Sequence, residues 1–208
     1  MYKINGISPS GSGERLLLKL VTPEGDTETL SISCEAYRRL GLAKGEISDE
    51  TYERLTDASE YEDALIRGMR ILGYGANSPK QLQDKLRRAG VSSDTAKKVV
   101  CELSRRGYLN ESEDAIRIAD SLIKKGYGAK RILSSLRAKG YSDKALQAVL
   151  ESFDDVNFLE NCTRVAKAKF KNLQNDRAEV QKAIAKLINL GYNVSEAKRA
   201  LEVVLSER

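Results

Sequence analysis

A cluster of cations in the middle of the chain offers the clearest chemistry in this sequence. Residues 121–150 contain 7 Lys/Arg and a single acid, Asp143. On a helical wheel the apolar and polar side chains of this stretch take opposite faces, Ile132, Leu133 and Leu136 against Lys130, Ser134 and Arg137. One face is therefore predicted to pack and the other to meet an anionic partner. The candidate binding residues here are Lys124, Lys125, Lys130, Arg131, Arg137 and Lys139.

A second group of cations precedes this cluster and is predicted to extend the same surface: Arg87, Arg88, Lys97, Lys98, Arg105 and Arg106. The charge of the whole chain is uneven, because residues 1–63 hold 7 Lys/Arg against 13 Asp/Glu whereas residues 64–208 hold 28 against 17. Such asymmetry favours contact with a polyanion or with an acidic protein surface. A set of solvated helix faces is the alternative explanation.

Catalytic chemistry finds little support in the residue types. The chain has no histidine, which removes the usual general base near neutral pH and every histidine-containing metal site. The glycine- and serine-rich segment 8–13 lacks the Gly-Lys-Ser/Thr ending of a phosphate-binding loop and lies between predicted strands, so we interpret it as a hairpin connection. Adjacent Asp154 and Asp155 are expected to cap a helix rather than bind a metal. We predict no catalytic residue, no metal and no cofactor.

The cysteines and the hydropathy of the chain indicate the cellular compartment. Cys34, Cys101 and Cys162 are far apart and form no Cys-x-x-Cys pair, which suits a reducing compartment. Cys101 and Cys162 fall in helical patterns and are expected to be small buried residues. No segment of some 18 apolar residues is present, and the first residues lack the apolar run of a signal peptide. We therefore expect a cytoplasmic protein with no membrane association.

The elements that would position the cations are helical, whereas the first part of the chain differs. Segments 2–4, 16–21 and 27–32 have strand character, and the last two are joined by Pro-Glu-Gly-Asp. From Cys34 the pattern becomes helical and ends at Gly41. Two further helices are predicted, one capped by Ser48 that runs through Leu55 and one from about Ser59 to Leu72.

A repeat then emerges. Gly90, Gly140 and Gly191 lie 50 and 51 residues apart, each four residues after a leucine and each followed by a new helix start. A period near 50 with three helices per copy predicts a tandem array. The predicted fold is mainly α, with three three-helix repeats that form an elongated, curved body behind a small N-terminal β-containing extension. Its divisions are 1–58 for the extension, then 59–110, 111–153 and 154–208 for the repeats. A single helical bundle with chance periodicity is the alternative.

Three stretches carry a resemblance to a known family. Residues 106–110 read Arg-Gly-Tyr-Leu-Asn, residues 125–132 read Lys-Gly-Tyr-Gly-Ala-Lys-Arg-Ile, and residues 82–90 form a similar first-repeat helix. Over about residues 60–206 the chain resembles the RecX regulatory proteins of bacterial recombination, and its N-terminal strands are similar to the extension of longer members. Ala129 stands where the family often has proline, and Glu111 follows Asn110 where an aspartate is common.

The resemblance implies a non-enzymatic modulator of the RecA recombinase. Such a protein would bind along the RecA filament on single-stranded DNA and would act, as a monomer, as an inhibitor of ATP hydrolysis, filament extension and strand exchange. This implies a role in DNA repair and the SOS response, with contacts to single-stranded and also double-stranded DNA. The alternative is a stand-alone DNA-binding helical-repeat protein that needs no recombinase.

Five tyrosines follow helix-ending glycines: Tyr74, Tyr108, Tyr127, Tyr141 and Tyr192. Base stacking would be a nucleic-acid role for such rings. We favour a structural role in which each ring packs over the turn and seats the next helix.

Overall fold

The computed structural model describes residues 1–11, 13–174 and 176–206. The chain divides into two compact units. Unit 1 comprises Met1–Gly75 and Leu82–Leu109, and unit 2 comprises Ala76–Gln81 and Asn110–Arg208. In the described ranges the fold is mainly helical with a small N-terminal antiparallel sheet, as the sequence predicts. The boundaries at 58, 110 and 153, and the array that they define, stay predictions.

The sheet of unit 1 has the order β3-β2-β1-β4 and is antiparallel throughout. Alternate apolar residues form one buried face, on which Leu18, Leu20 and Ile32 have no exposed surface. The predicted 8–13 connection is shorter than expected, since the first strand includes Ser8 and Pro9, and Ser12 lies outside the described residues. The strands are β1 (Tyr2–Pro9), β2 (Arg15–Val21), β3 (Thr27–Ser33) and β4 (Gly45–Ile47).

Two helices lie between residues 34 and 73, where the sequence predicts three. The helix α1 (Cys34–Arg39) ends before Gly41 as expected, but α2 (Asp49–Gly73) is one helix of 25 residues. Ser48 caps α2 by accepting a hydrogen bond from the Thr51 amide. The predicted second start at Ser59 is wrong, because the Ser59 hydroxyl donates to the Ser31 carbonyl at 3.1 Å and ties α2 to the sheet.

Two more helices complete the second core of unit 1, although the first residues of the earlier one, 79–81, belong to unit 2. Leu82, Leu86, Val99 and Leu103 are fully buried there with Ala64 of α2. Ser78 and Gln81 form the predicted capping box, in which each side chain accepts a hydrogen bond from the other residue's amide. The helices are α3 (Pro79–Arg88) and α4 (Ser93–Arg105).

Unit 2 contains six helices in the part of the chain that is described. They form two apolar cores, one from the first three helices and one from the last three, and Phe158 packs against both. The helices are α5 (Glu111–Lys124), α6 (Ala129–Ala138), α7 (Asp143–Ser152), α8 (Phe158–Lys169), α9 (Arg177–Asn189) and α10 (Val194–Ser206).

Carboxylates from one helix cap another in both units. Glu111 of α5 accepts hydrogen bonds from the Ser142 amide and hydroxyl at 2.5 and 2.8 Å, at the start of α7. Glu60 of α2 accepts from the Ser92 amide at 2.7 Å, at the start of α4. The bonds from the Ser142 and Ser92 amides satisfy donors that helix geometry leaves unpaired. The two glutamates are 51 residues apart, so the spacing of the glycine stops reappears in the capping contacts.

Candidate nucleic-acid interface

All twelve predicted binding cations are exposed. The structure divides them equally between the two units. Unit 1 carries Arg87, Arg88, Lys97, Lys98, Arg105 and Arg106, and unit 2 carries Lys124, Lys125, Lys130, Arg131, Arg137 and Lys139. The groups differ in their surroundings.

In unit 2, α6 has the predicted two faces. Ile132 and Leu136 are fully buried, whereas Lys130, Ser134 and Arg137 are exposed. Within the described ranges no carboxylate forms a salt bridge with any cation of this group. Among the described residues five of the six cationic side chains therefore have no competing internal partner, and Arg131 is the exception.

The first turn of α6 is held by main-chain hydrogen bonds to the end of α9. The Gly128 amide donates to the Leu190 carbonyl at 2.8 Å, and the Lys130 amide donates to the Gly191 carbonyl at 3.1 Å. A free helix start attracts anions through such amides. Here they already have partners, so binding of phosphates by α6 would depend on its side chains.

Two glycines make this contact between α6 and α9 possible. A β-carbon on Gly128 would collide with the carbonyl carbon and oxygen of Gly191. Gly191 has φ +98°, and a β-carbon there would lie 2.5 Å from the Arg131 amide nitrogen. Backbone atoms meet directly at this point, which fixes the position of α6.

Arg131 supports the same junction. Its guanidinium donates to the Asn189 carbonyl at 3.0 Å and lies 4.8 Å from the centre of the Tyr127 ring. Both contacts hold the side chain over the end of α9, where the helix dipole favours a cation. Beside it, a groove of about 490 Å³ lies between α6 and α9, lined by Lys130, Arg131, Ser134, Ser135, Ala138, Ile188, Asn189 and Gly191.

A similar contact joins the segment 76–81 to the end of α6. The Ser78 hydroxyl donates to the Lys139 carbonyl at 2.6 Å, and Ser78 has no exposed surface. The Lys80 side chain packs against Gly140. The sequence reasoning missed both junctions, although the glycines that it singled out mark where they form.

The cations of unit 1 are partly neutralised by neighbouring acids. Glu102 accepts from Arg105 at 2.8 Å and from Arg106 at 2.6 Å, and these bonds lower the pKa of its carboxyl to about 2. Lys97 lies 3.7 Å from Asp94. Three of the six cations therefore have an acid within reach, in i,i+3 or i,i+4 spacing that the sequence displays.

The tyrosines divide into two classes. The packing interpretation is confirmed for Tyr141 and Tyr192, which are 5% and 0% exposed, and the Tyr192 hydroxyl donates to the Gly126 carbonyl at 3.0 Å. It is wrong for Tyr74 and Tyr108, whose rings are 87% and 56% exposed. Tyr127 is half-buried beneath Arg131.

The structure adds little support for metal or thiol chemistry. Among the described residues no three His, Cys, Asp or Glu side chains come together as a metal site. Cys162 is buried as expected, and burial raises the pKa of its thiol to about 12. The expectation for Cys101 is wrong, since it lies on the exposed side of α4 beside Glu102. No helix in the described ranges has the length and apolar character needed to cross a membrane.

Several known proteins are similar to this chain in sequence. No family model matches the chain. The regulatory protein RecX of Caldanaerobacter subterraneus is 25% identical over 170 residues, which cover 81% of this chain and 85% of that protein. The RecX protein of Listeria monocytogenes serotype 4b is 27% identical over 182 residues, or 85% of this chain and 67% of that one.

A solved structure shows the same fold. The crystal structure of a regulatory protein RecX superposes with a TM-score of 0.79 at 18% identity, covering 97% of this chain and 100% of that one. The curated relatives that match share one name, and the agreement extends through the sheet as well as the helices. The chain is thus similar in sequence to regulatory proteins named RecX and shares the fold of one of them.

Proposed function

We propose that this protein is a non-enzymatic regulator of the RecA recombinase. It binds along the RecA filament on single-stranded DNA and acts as an inhibitor, limiting ATP hydrolysis, filament extension and strand exchange. The similarity to relatives named regulatory protein RecX supports RecA as the partner. The direction of the effect is the part of the proposal that the resemblance alone suggests.

The observation that carries the proposal is the exposed cationic face of α6. Lys130 and Arg137 lie on this face and Lys139 follows at its end, with no carboxylate bound to them in the described structure. A nucleoprotein filament is a polyanion with a repeating surface, so several weak contacts along one ligand add to a strong attachment. A rigid helix with free lysine and arginine side chains suits such contacts.

The test of the proposal is single-stranded-DNA-dependent ATP hydrolysis by the cognate RecA while this protein is titrated. DNA is kept in large excess, so that competition for bare strand cannot reduce the rate. We expect inhibition at far less than one molecule per RecA monomer, because a filament-bound regulator affects many subunits. Unchanged hydrolysis across the titration would reject the proposal.

A matched pair of variants tests the surface. Replacing Lys130, Arg137 and Lys139 together by glutamine removes three unpaired cations. If all three contact phosphates, affinity at 0.1 M salt falls by about a hundredfold, since each contact on a single strand contributes roughly 0.7 log units per log of salt. The control replaces the acid-paired Lys97, Arg105 and Arg106 by glutamine and should inhibit nearly as the wild type does. Equal inhibition by the first variant would exclude the α6 face.

The hydrolysis assay, combined with binding to bare oligonucleotide, also distinguishes the RecA regulator from a stand-alone DNA-binding protein. Such a protein would bind bare oligonucleotide in a salt-dependent way and leave RecA hydrolysis unchanged under DNA excess. That combination would assign DNA alone as the partner.

A further inference from the structure

A second cationic site lies in the last three helices, outside the residues that the sequence singled out. A surface cavity of about 320 Å³ lies between the end of α8 and the first turns of α9, and its lining includes Lys169, Phe170, Glu179, Lys182 and Lys186. All three lysines are exposed, and Phe170 is half-buried. A volume of this size is at the small end for ligand sites and accommodates one planar group.

The cavity combines positive charge with an aromatic surface. The Lys186 ammonium lies 5.9 Å from the centre of the Phe170 ring, so the ring is beside the charges rather than apart from them. Among the described residues of the lining Glu179 is the one acid, and its carboxylate accepts a hydrogen bond from the Gln174 amide at 3.1 Å. Three lysines against one partnered glutamate leave the cavity cationic.

The cavity and the α6–α9 groove share one helix. Lys182 and Lys186 face the cavity from α9, and Ile188 and Asn189 line the groove from its last turn. Lys182 and Lys186 are four residues apart and so lie on the same side of the helix, about 6 Å apart along its axis. Cations therefore border α9 at both places, Lys130 and Arg131 at the groove and Lys182 and Lys186 at the cavity.

We propose that this cavity is a subsite for single-stranded nucleic acid, in which a base stacks on Phe170 while Lys169, Lys182 and Lys186 contact the flanking phosphates. The inference rests on the proposed function in one respect, that a single strand is the ligand. A ring beside lysines favours a nucleic acid over an acidic peptide, because bases offer a flat surface for stacking and carboxylate side chains do not. Lysine acts as a point charge and suits phosphates in varied geometry.

The experiment measures binding of fluorescent oligo-dT to the full chain without RecA, over a range of salt concentrations. Replacement of Lys169, Lys182 and Lys186 by glutamine should reduce the slope of log affinity against log salt by about 2, as three lost phosphate contacts require. The matched control replaces exposed Lys144, Lys198 and Arg199 by glutamine and should keep the wild-type slope. A cavity variant that binds like this control would overturn the proposal.

The ring is tested separately from the charge. Phe170→Leu should weaken binding by roughly fivefold or more at an unchanged salt slope, because one stacked base is lost. Phe170→Tyr keeps the ring and should bind like the wild type, and thermal denaturation checks that each variant is folded. Since Phe170 also packs against the core, the lysine variant, which changes exposed groups alone, keeps the test valid if Phe170→Leu is unstable.

Competition decides the class of ligand. Binding that depends on the lysines but not on the ring, and that polyglutamate displaces as well as oligo-dT does, would overturn the nucleic-acid assignment in favour of an acidic protein segment. Absence of oligo-dT binding by the wild type would overturn it as well. Neither outcome bears on RecA inhibition, which the hydrolysis assay measures independently.

Discussion

The two units carry equal numbers of the predicted cations and use them differently. In unit 1 Glu102 binds Arg105 and Arg106, and Asp94 lies near Lys97, so half of the group has an acid within reach. In unit 2 the cations of α6 and its flanks have no such acid in the described ranges, and the helix beneath them is fixed by main-chain contacts. A count of charges therefore overstates unit 1 as a binding surface. The availability of a cation matters as much as its presence.

The largest effect on this difference between the units is expected from a substitution that displaces α6. Gly128→Ala places a methyl group against the Gly191 backbone, where no side chain can move aside. We expect a loss of about 3 kcal/mol in the free energy of unfolding, measured by urea denaturation. Oligonucleotide affinity should fall with it, because the cations on α6 move.

The control for this change lies in unit 1. Gly73 is the last residue of α2, and a β-carbon added to it would meet no atom within 4 Å. Gly73→Ala should therefore stay within about 1 kcal/mol of the wild type in the same urea denaturation. Equal effects of the two alanines would mean that close approach does not hold α6.

A second comparison uses two buried tyrosines of unit 2. Tyr192→Phe leaves the buried Gly126 carbonyl without its partner and should cost about 1 to 2 kcal/mol in chemical denaturation. The Tyr141 hydroxyl has no hydrogen-bond partner among the described groups, so Tyr141→Phe should change stability by less than about 0.5 kcal/mol. The opposite ranking would show that the Tyr192 bond contributes little to the junction.

The buried Tyr192 hydroxyl also predicts that the free energy of unfolding depends on alkaline pH. Burial raises the pKa of Tyr192 to about 12 from its usual value of 10. The folded state then keeps the proton longer than the unfolded state does, so the stability is complete below pH 10 and declines between pH 10 and 12. Tyr192→Phe should show a shallower decline over this range. An unchanged pH profile would contradict the assignment.

The smallest expected effect is a gain in oligonucleotide affinity when an acid that pairs with the cations of unit 1 is removed. Glu102→Gln removes the charge that holds Arg105 and Arg106, and one arginine released to a phosphate should raise oligonucleotide affinity about fivefold at 0.1 M salt. Asp94→Asn removes the same charge where the pair is longer and exposed, and it should change affinity by less than about twofold. If both variants gained equally, the local pairing would be irrelevant and only net charge would matter.

Periodicity predicted the parts of the structure that depend on local spacing. The two faces of α6, the Ser78 capping box and the three predicted strands, of which the first extends further to Pro9, follow from residue patterns of short range. The predicted break at Ser59 failed because that serine bonds to a strand 28 residues away, which no local pattern reveals. The predicted burial of Cys101 was wrong for a related reason. The sequence predicts a helix there, but it does not show which face of that helix packs against the core.

The candidate site was foreseen only in part. The exposed cations of α6 follow from the helical wheel, whereas the cavity beside Phe170 forms where two helices meet across a turn. The three lysines there are visible in the sequence, but their convergence depends on how α8 and α9 pack. The Glu102 pairs, in contrast, could have been read from their spacing.

The junction of α6 and α9 also bears on how much the sequence can change while the fold is kept. Its main-chain part is made by amides, carbonyls and the missing β-carbons of Gly128 and Gly191, and only Arg131 and Tyr192 add side-chain hydrogen bonds there among the described residues, so most other side chains can change while this geometry persists. A fold joined through its main chain tolerates wide substitution at a few fixed points. This accords with a shared fold at a TM-score of 0.79 and an identity of 18%.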